Sequence, residues 1–312
     1  MMLGYTFKLL LSNFSNVWKM LLYRIICLLC VLGLTTVVFW PIINTLIREN
    51  FFVNVQSTFE GFLFNLNIEN LFVNVDSVIK NFCEIISKNG YVLQAVLCGV
   101  MFIILFVFLE GYGKFAMTES INGYMSSLTK YSFVNSYVAN FGKATLHNLI
   151  SLITIVPINL VIWIGTYLFA SNLYSKIGVF AIVLAFFIAT ILLALKNTAF
   201  SGWRTASIVH NATTFGSLKK GFVSIKKRFF RGLSNYLLLV IIAVVLNVLA
   251  LTLTAAVGLF ITMPLVSLMF AIANQVNYYE AMGMRFYIDS DRIISPKKLE
   301  QQDSFAKVKH LI

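Results

Sequence analysis

The sequence predicts an all-α fold: a polytopic integral membrane protein of about six transmembrane helices, with interfacial amphipathic helices and both termini on the cytoplasmic side. Three observations predict it. Of the 312 residues, 59% are hydrophobic and only 12% are charged, against about 25% charged in a soluble domain; the mean hydropathy is +0.85. Several apolar runs reach the roughly 20 residues that a spanning helix needs. The 24 Lys and Arg and the 12 Asp and Glu are sorted unevenly along the chain. A soluble protein of this length could not keep so much apolar surface from water. A secreted disulfide domain, a disordered chain and an ordinary soluble enzyme are therefore excluded.

Residues Tyr5 to Trp18 mix Lys8, Ser12, Asn13, Ser15 and Asn16 with Phe7, Leu9, Leu10, Leu11 and Phe14. This pattern predicts a short interfacial helix with Trp18 as its anchor. Spans follow over about 20–47, 91–109, 146–170 and 178–195. The apolar block from Leu233 to Asn277 is too long for one crossing, so it predicts two, over 233–253 and 258–277, with a turn near Thr252, Thr254 and Gly258. The first apolar run is longer than a signal-peptide core and has no small-residue cleavage site after it, so it is read as a retained span. The core is one transmembrane domain over 1–280, followed by a cytoplasmic tail over 281–312.

Six spans with a cytoplasmic N-terminus leave only Arg48, Lys80, Lys88 and Lys176 outside and put the other 20 basic residues inside. That bias follows the positive-inside rule. An odd number of spans would put the basic tail outside. Cys27, Cys30, Cys83 and Cys98 are scattered and imply no disulfide framework. Abundant Asn, Lys, Ile and Phe predict a bacterial cell-membrane protein from an AT-rich genome.

Outside the spans, residues 51–88 hold a 20-residue repeat. Phe52, Val53, Asn54, Val55, Ser57 and Phe62 recur as Phe72, Val73, Asn74, Val75, Ser77 and Phe82. Val55, Phe59, Phe62 and Leu66 share one helical face; so do Leu71, Val75, Val78, Phe82 and Ile85. The segment predicts an outer helical hairpin broken near Asn67 to Asn70, serving as a lid or partner surface. The alternation over Phe64 to Ile68 also fits a short strand.

On the inner side, residues 217–232 predict a basic amphipathic helix. Leu218, Phe222, Ile225 and Phe229 form its apolar face, and Lys219, Lys220, Lys226, Lys227, Arg228 and Arg231 spread over the opposite arc with no acid among them. Such a helix beside a span suits anionic headgroups of the inner leaflet, at about 1 kcal/mol per cation near the surface. The same cations also enforce topology. No nucleic-acid-binding motif accompanies them.

Within the spans, Arg24 and Glu110 fall at similar depth on antiparallel helices, which predicts an ion pair. Asn148, Ser151, Asn159 and Thr166 make one polar stripe, and Ser267, Asn274 and Asn277 another. Pro157 and Pro264 interrupt the two helices concerned. Such stripes serve as interhelical hydrogen-bonding glue or line a polar path as in a transporter.

Catalytic and metal-binding patterns are absent from the sequence. His147, His210 and His310 are not spaced as ligands. No acid occurs between Glu119 and Glu280, which removes most groups that acid–base chemistry would use. The expectation is a non-enzymatic membrane protein without a cofactor. Its partners are expected to be membrane lipids, a second copy or another membrane protein. The alternative is the permease-like subunit of a transporter, working with a separate ATPase.

Overall fold

The apolar runs become helices, and the helices outrun them. The computed structural model describes residues 2–65, 68–254, 257–289 and 292–294. The helices are α1 (Met2–Ser12), α2 (Ser15–Val38), α3 (Trp40–Arg48), α4 (Phe51–Asn65), α5 (Ile68–Lys88), α6 (Val92–Ser127), α7 (Phe133–Ala139), α8 (Phe141–Ile177), α9 (Val179–Val209), α10 (Thr214–Leu253) and α11 (Leu259–Met282). A two-stranded antiparallel ribbon follows, β1 (Phe286–Asp289) with β2 (Arg292–Ile294), pairing Phe286 with Ile294. Six of the helices (α2, α6, α8, α9, α10 and α11) are long and apolar enough to cross a membrane. The protein is thus an all-α polytopic membrane protein.

Helices α6 and α8 have 36 and 37 residues. At about 1.5 Å per residue they are about 54–56 Å long, nearly twice the apolar thickness of a bilayer. The turns of α6 beyond its apolar window enter a packed core. Leu9 of α1, Val17 and Met20 of α2, Met117 and Ile121 of α6, Tyr236 and Leu239 of α10, Ile272 and Val276 of α11 and Phe286 of β1 form one buried cluster. In contrast, none of the most apolar 18-residue window of α6 is buried, and only 6% of that of α2. These windows face outward, as lipid-facing surface does.

Both described chain ends meet in this core. Tyr5 of α1 stacks edge-on against Phe286 of β1 at 6.0 Å, and the Tyr124 hydroxyl of α6 donates to the Ile288 carbonyl at 3.4 Å. Segment Tyr5 to Trp18 is therefore not a free interfacial helix. Helix α1 ends at Ser12, its Met2, Thr6 and Leu9 are fully buried, and α2 begins at Ser15. The start of the tail likewise folds back as the ribbon, with Phe286 and Ile288 buried. The tail cations Lys297, Lys298, Lys307 and Lys309 lie outside the described residues.

The stretch read as one span over 20–47 is divided. Pro41 lacks a backbone N–H and sits in the first turn of α3, where that loss costs nothing; the helix breaks before it at Phe39. Two short connections set the remaining topology. Gly178, at φ 57°, is the only residue between α8 and α9, and that conformation strains any side chain. Thr213 caps α10 by accepting a hydrogen bond from the Gly216 amide at 3.3 Å.

The tightest seam joins α9 to the inner half of α10. Ser201 and Gly202 face Gly221 and Ser224, all buried. A Cβ on Gly221 would meet the Trp203 amide nitrogen at 2.9 Å, and one on Gly202 would meet the Gly221 Cα at 2.8 Å. Small residues let two backbones approach where larger ones would hold them apart. We predict that Gly221→Val costs about 1–3 kcal/mol by overpacking. Gly165→Ala, at a helical position with nothing within 4 Å, should gain up to about 1 kcal/mol. Thermal unfolding of the two variants in detergent measures both.

Candidate functional site

Charge concentrates where the apolar windows end and the packed extension begins. Arg24 of α2 and Glu110 of α6 form a bidentate ion pair: Nε donates to Oε2 at 3.0 Å and Nη2 to Oε1. Nη2 also donates to the Ser267 hydroxyl of α11 at 2.7 Å. Lys114, one turn further along α6, reaches the same carboxylate at 3.4 Å. Three helices are thus tied at one depth. The Tyr23 hydroxyl adds a fourth link, donating to the Leu109 carbonyl at 2.5 Å.

Further cations surround this knot. Lys114 lies within electrostatic reach of Arg204 and Lys196 on α9. The Lys196 ammonium donates to the Asn159 side-chain oxygen at 2.8 Å. The Arg204 guanidinium lies 5.4 Å from the centre of the Phe115 ring, a cation–π distance. Three bases, Arg24, Lys114 and Arg204, therefore share one described carboxylate, Glu110, and Lys196 stands beside Lys114 with Asn159 as its partner. Reading Lys114, Lys196 and Arg204 as loop charges that set topology missed this convergence. Its sequence signal was present: the charges end the apolar runs of neighbouring helices.

Beside the knot, α2, α6 and α11 enclose a cavity of about 460 Å³. Arg24, Glu110, Lys114 and Ser267 line its polar end, while Leu28, Val31, Phe102, Phe106, Leu259 and Met263 are among its apolar walls. No sequence pattern marks a space between side chains.

The two polar stripes go to different interfaces. On α8, Asn148 fills the space against Gly111 and donates to the Phe108 carbonyl at 3.2 Å. Ser151 bonds His147 Nδ1 at 3.2 Å, Asn159 holds Lys196, and Thr166 donates to the Ile162 carbonyl of its own helix at 2.7 Å. On α11, Ser267 accepts from Arg24, and Asn274 accepts from the Tyr236 hydroxyl of α10 at 2.6 Å. Asn277 donates to Ser201 of α9 at 3.5 Å. Each set bonds to its own neighbours, and no bond joins one stripe to the other.

The basic segment 217–232 belongs to α10, but a kink at Arg228 (φ −144°, ψ 33°) sets its residues up to Lys227 apart from the spanning part, so the expected basic helix is largely present as a segment of its own. Its buried face matches the predicted one in part. Ile225 is buried and Leu218 and Phe229 are half-buried, but Ser217, Gly221 and Ser224 complete the inward face while Phe222 is 47% exposed. Where α9 comes closest, at Gly221, its backbone admits only a small residue. The six cations divide accordingly. Arg228 forms an ion pair with Glu280 of α11, and Arg231 lies 3.9 Å from the same carboxylate. Lys219, Lys220, Lys226 and Lys227 are exposed beside Phe215, Phe222 and Val223, which are exposed too.

At the other end, α4 and α5 form the helical hairpin that the sequence predicts. Ile85 and Ile86 bury against Ile42 and Leu46 of α3, and the Phe51 and Phe82 rings meet at 5.7 Å. The repeat has a structural counterpart: Ser57 donates to the Asn54 carbonyl at 3.0 Å and Ser77 to the Asn74 carbonyl at 2.8 Å. Phe59, Phe62, Leu66 and Leu71, expected on the apolar faces, lie outside the described side chains. Asp76 accepts from the Tyr167 hydroxyl of α8 at 2.6 Å and pairs with Lys80 at 2.6 Å. The hydrogen bonds from Lys80 and Tyr167 hold its carboxyl below the usual carboxylate range. Their contribution is thus present above that range and is lost as pH falls through the lowered value.

Neither family profiles, nor characterised proteins, nor solved structures match this chain. Its functional reading rests on the geometry above.

Removing one member of a buried ion pair strands the other, at a cost of about 3–5 kcal/mol. Glu110 is 8% exposed and is the sole described carboxylate for Arg24 and Lys114. Glu110→Gln should therefore lower the unfolding temperature sharply. The double variant Arg24→Met with Glu110→Met should recover part of that loss, because it strands no guanidinium and leaves only the 36% exposed Lys114 without its carboxylate. Parallel thermal scans of the two variants make the comparison.

Proposed function

We propose that this is a non-enzymatic multi-pass protein of a bacterial cell membrane, with its N- and C-terminal ends cytoplasmic, that engages anionic lipid at the inner leaflet. One observation carries the reading. Lys219, Lys220, Lys226 and Lys227 are exposed among exposed apolar side chains, without a carboxylate bonded to them among the described residues. Lysine stems lie along apolar surface while their ammonium groups reach headgroup phosphates. Phe230, 83% exposed next to the distortion at Arg228, supplies an apolar contact at the boundary. The outer hairpin, with Phe52, Val53, Val73 and Val75 exposed, serves as a surface for a partner or a second copy. This reading is preferred to a permease-like subunit because the polar side chains of α8 and α11 serve separate helix contacts instead of a shared path.

The test uses the full chain in lipid nanodiscs, with an environment-sensitive probe on Phe222→Cys in a background lacking the four native cysteines. In phosphatidylglycerol discs the probe should report an apolar surrounding that is lost at high salt. Replacing the four lysines by Gln should abolish that signal. Equal signals in phosphatidylglycerol and phosphatidylcholine would contradict lipid engagement. A signal that appears only when an acidic protein is added would reassign the stripe to a protein partner.

A further inference from the structure

We propose that the cavity between α2, α6 and α11 holds one anionic phospholipid, with its phosphate on Arg24 and Lys114 and an acyl chain along the apolar walls towards Leu32 and Phe102. This site is separate from the lysine stripe of α10. It shares with that reading only the placement of the charged end at the inner leaflet.

The dimensions fit. The space of about 460 Å³ lies within the range of ligand pockets, about 300–1,000 Å³. Its lining runs from Leu21 to Leu32 on α2, from Lys114 back to Phe102 on α6 and from Ser267 back to Leu259 on α11. These paths extend about 12–18 Å along their helices at 1.5 Å per residue. The cavity is therefore elongated along the helices, with all of its charge at one end.

The chemistry at the two ends differs. The walls are mostly leucine, isoleucine, valine, phenylalanine and methionine, with Cys27 and with Asn247 of α10, whose side-chain oxygen accepts from the Thr262 hydroxyl at 2.8 Å, and they are open to the surroundings: Leu28 is 48% exposed and Met263 51%. An acyl chain can enter from the side, between helices. At the polar end two cations face one carboxylate, and Arg204 lies beyond them with no carboxylate of its own among the described residues. A neutral or cationic amphiphile would leave this excess unmatched, whereas a phosphodiester anion offsets it.

Arg24 also has capacity left. Its Nε and Nη2 are engaged, but Nη1 is shut off from solvent and has no partner among the described residues. Buried donors are nearly always satisfied, and a lipid phosphate oxygen is an acceptor that a membrane supplies at this depth. Pro264 adds a second feature. Lacking an N–H, it leaves the carbonyl of Phe260 without its helical donor, and both residues line the cavity. A lipid hydroxyl or water carried in with the ligand can satisfy that carbonyl.

The full chain purified in mild detergent with equal amounts of dioleoylphosphatidylglycerol, dioleoylphosphatidylcholine and oleate provides the test, with retained ligand read by native mass spectrometry. One phosphatidylglycerol per protomer should be retained, at least about tenfold above phosphatidylcholine, as expected for charge-assisted hydrogen bonds to one headgroup. Arg24→Gln should remove that preference. Met263→Trp fills the apolar part and touches no charge, so it should cut retention about tenfold while the fold is kept. The variant with all four α10 lysines changed to Gln should retain the lipid as the native chain does. Equal retention of the two phospholipids would overturn the proposal, and so would undiminished retention by Met263→Trp. Oleate in place of phospholipid would overturn it too, as would a dimer that dissociates on Met263→Trp. Loss of the lipid in the four-lysine variant alone would place it on α10, which would support the earlier reading and refute this one.

Discussion

The carboxylate of Glu110 organises the boundary between the lipid-facing and packed parts of the molecule. From residue 120 to residue 279 the chain carries no acid at all, so the cations that gather at this depth compete for very few partners. Glu110 takes Arg24 and Lys114, and Arg24 in turn bonds Ser267. The consequence is geometric before it is energetic. An arginine fork has a fixed shape, so holding it between α6 and α11 sets the axial register of α2 against both. The cavity lies to one side of that knot and the inner core to the other.

A second constraint acts through the absence of side chains. In lipid, helices gain nothing from hydrophobic transfer against one another, and close packing has to come from shape. The seam between α9 and α10 uses glycine and serine for this, and it continues into the inner extension. There, α1, the end of α6 and the ribbon bury Leu9, Met117, Ile121 and Phe286 as a soluble core would. The molecule therefore combines two regimes. The apolar windows of α2 and α6 face outward and that of α11 is 44% buried, while the extension beyond them is tightly packed and rich in polar contacts. Glu280 repeats the role of Glu110 inside that extension by holding Arg228 and Arg231. Of the six cations on α10, the four lysines that Glu280 does not reach are exposed.

The sequence made the bilayer regime legible, because length and hydropathy alone identify a spanning helix. It also gave the Arg24–Glu110 pair, since antiparallel helices of known direction fix the depth of each charge. The inner extension was much harder to read. Ser201, Gly202, Ser217, Gly221 and Ser224 look like loop composition, yet their small size is what permits the α9–α10 contact. For the same reason the buried face of α10 was misassigned in part: hydrophobicity ranks Phe222 above Gly221, but the neighbouring backbone admits only the glycine. Pro41 was visible, but its break was hidden within a continuous apolar run. The convergence of Lys114 with Lys196 and Arg204 needed the relative rotation of α6 and α9, which no single-helix pattern contains.

All of these readings depend on which side of the membrane the packed end faces. Its direct test is thiol labelling of intact cells with a membrane-impermeant maleimide. One chain keeps exposed Cys83 on the outer hairpin as its only cysteine; the other carries Phe215→Cys alone, at the start of α10. If the packed, basic end is cytoplasmic, Cys83 is labelled at once, and the α10 position only after the membrane is permeabilised. Labelling of the α10 position in intact cells, with Cys83 protected, would contradict the account.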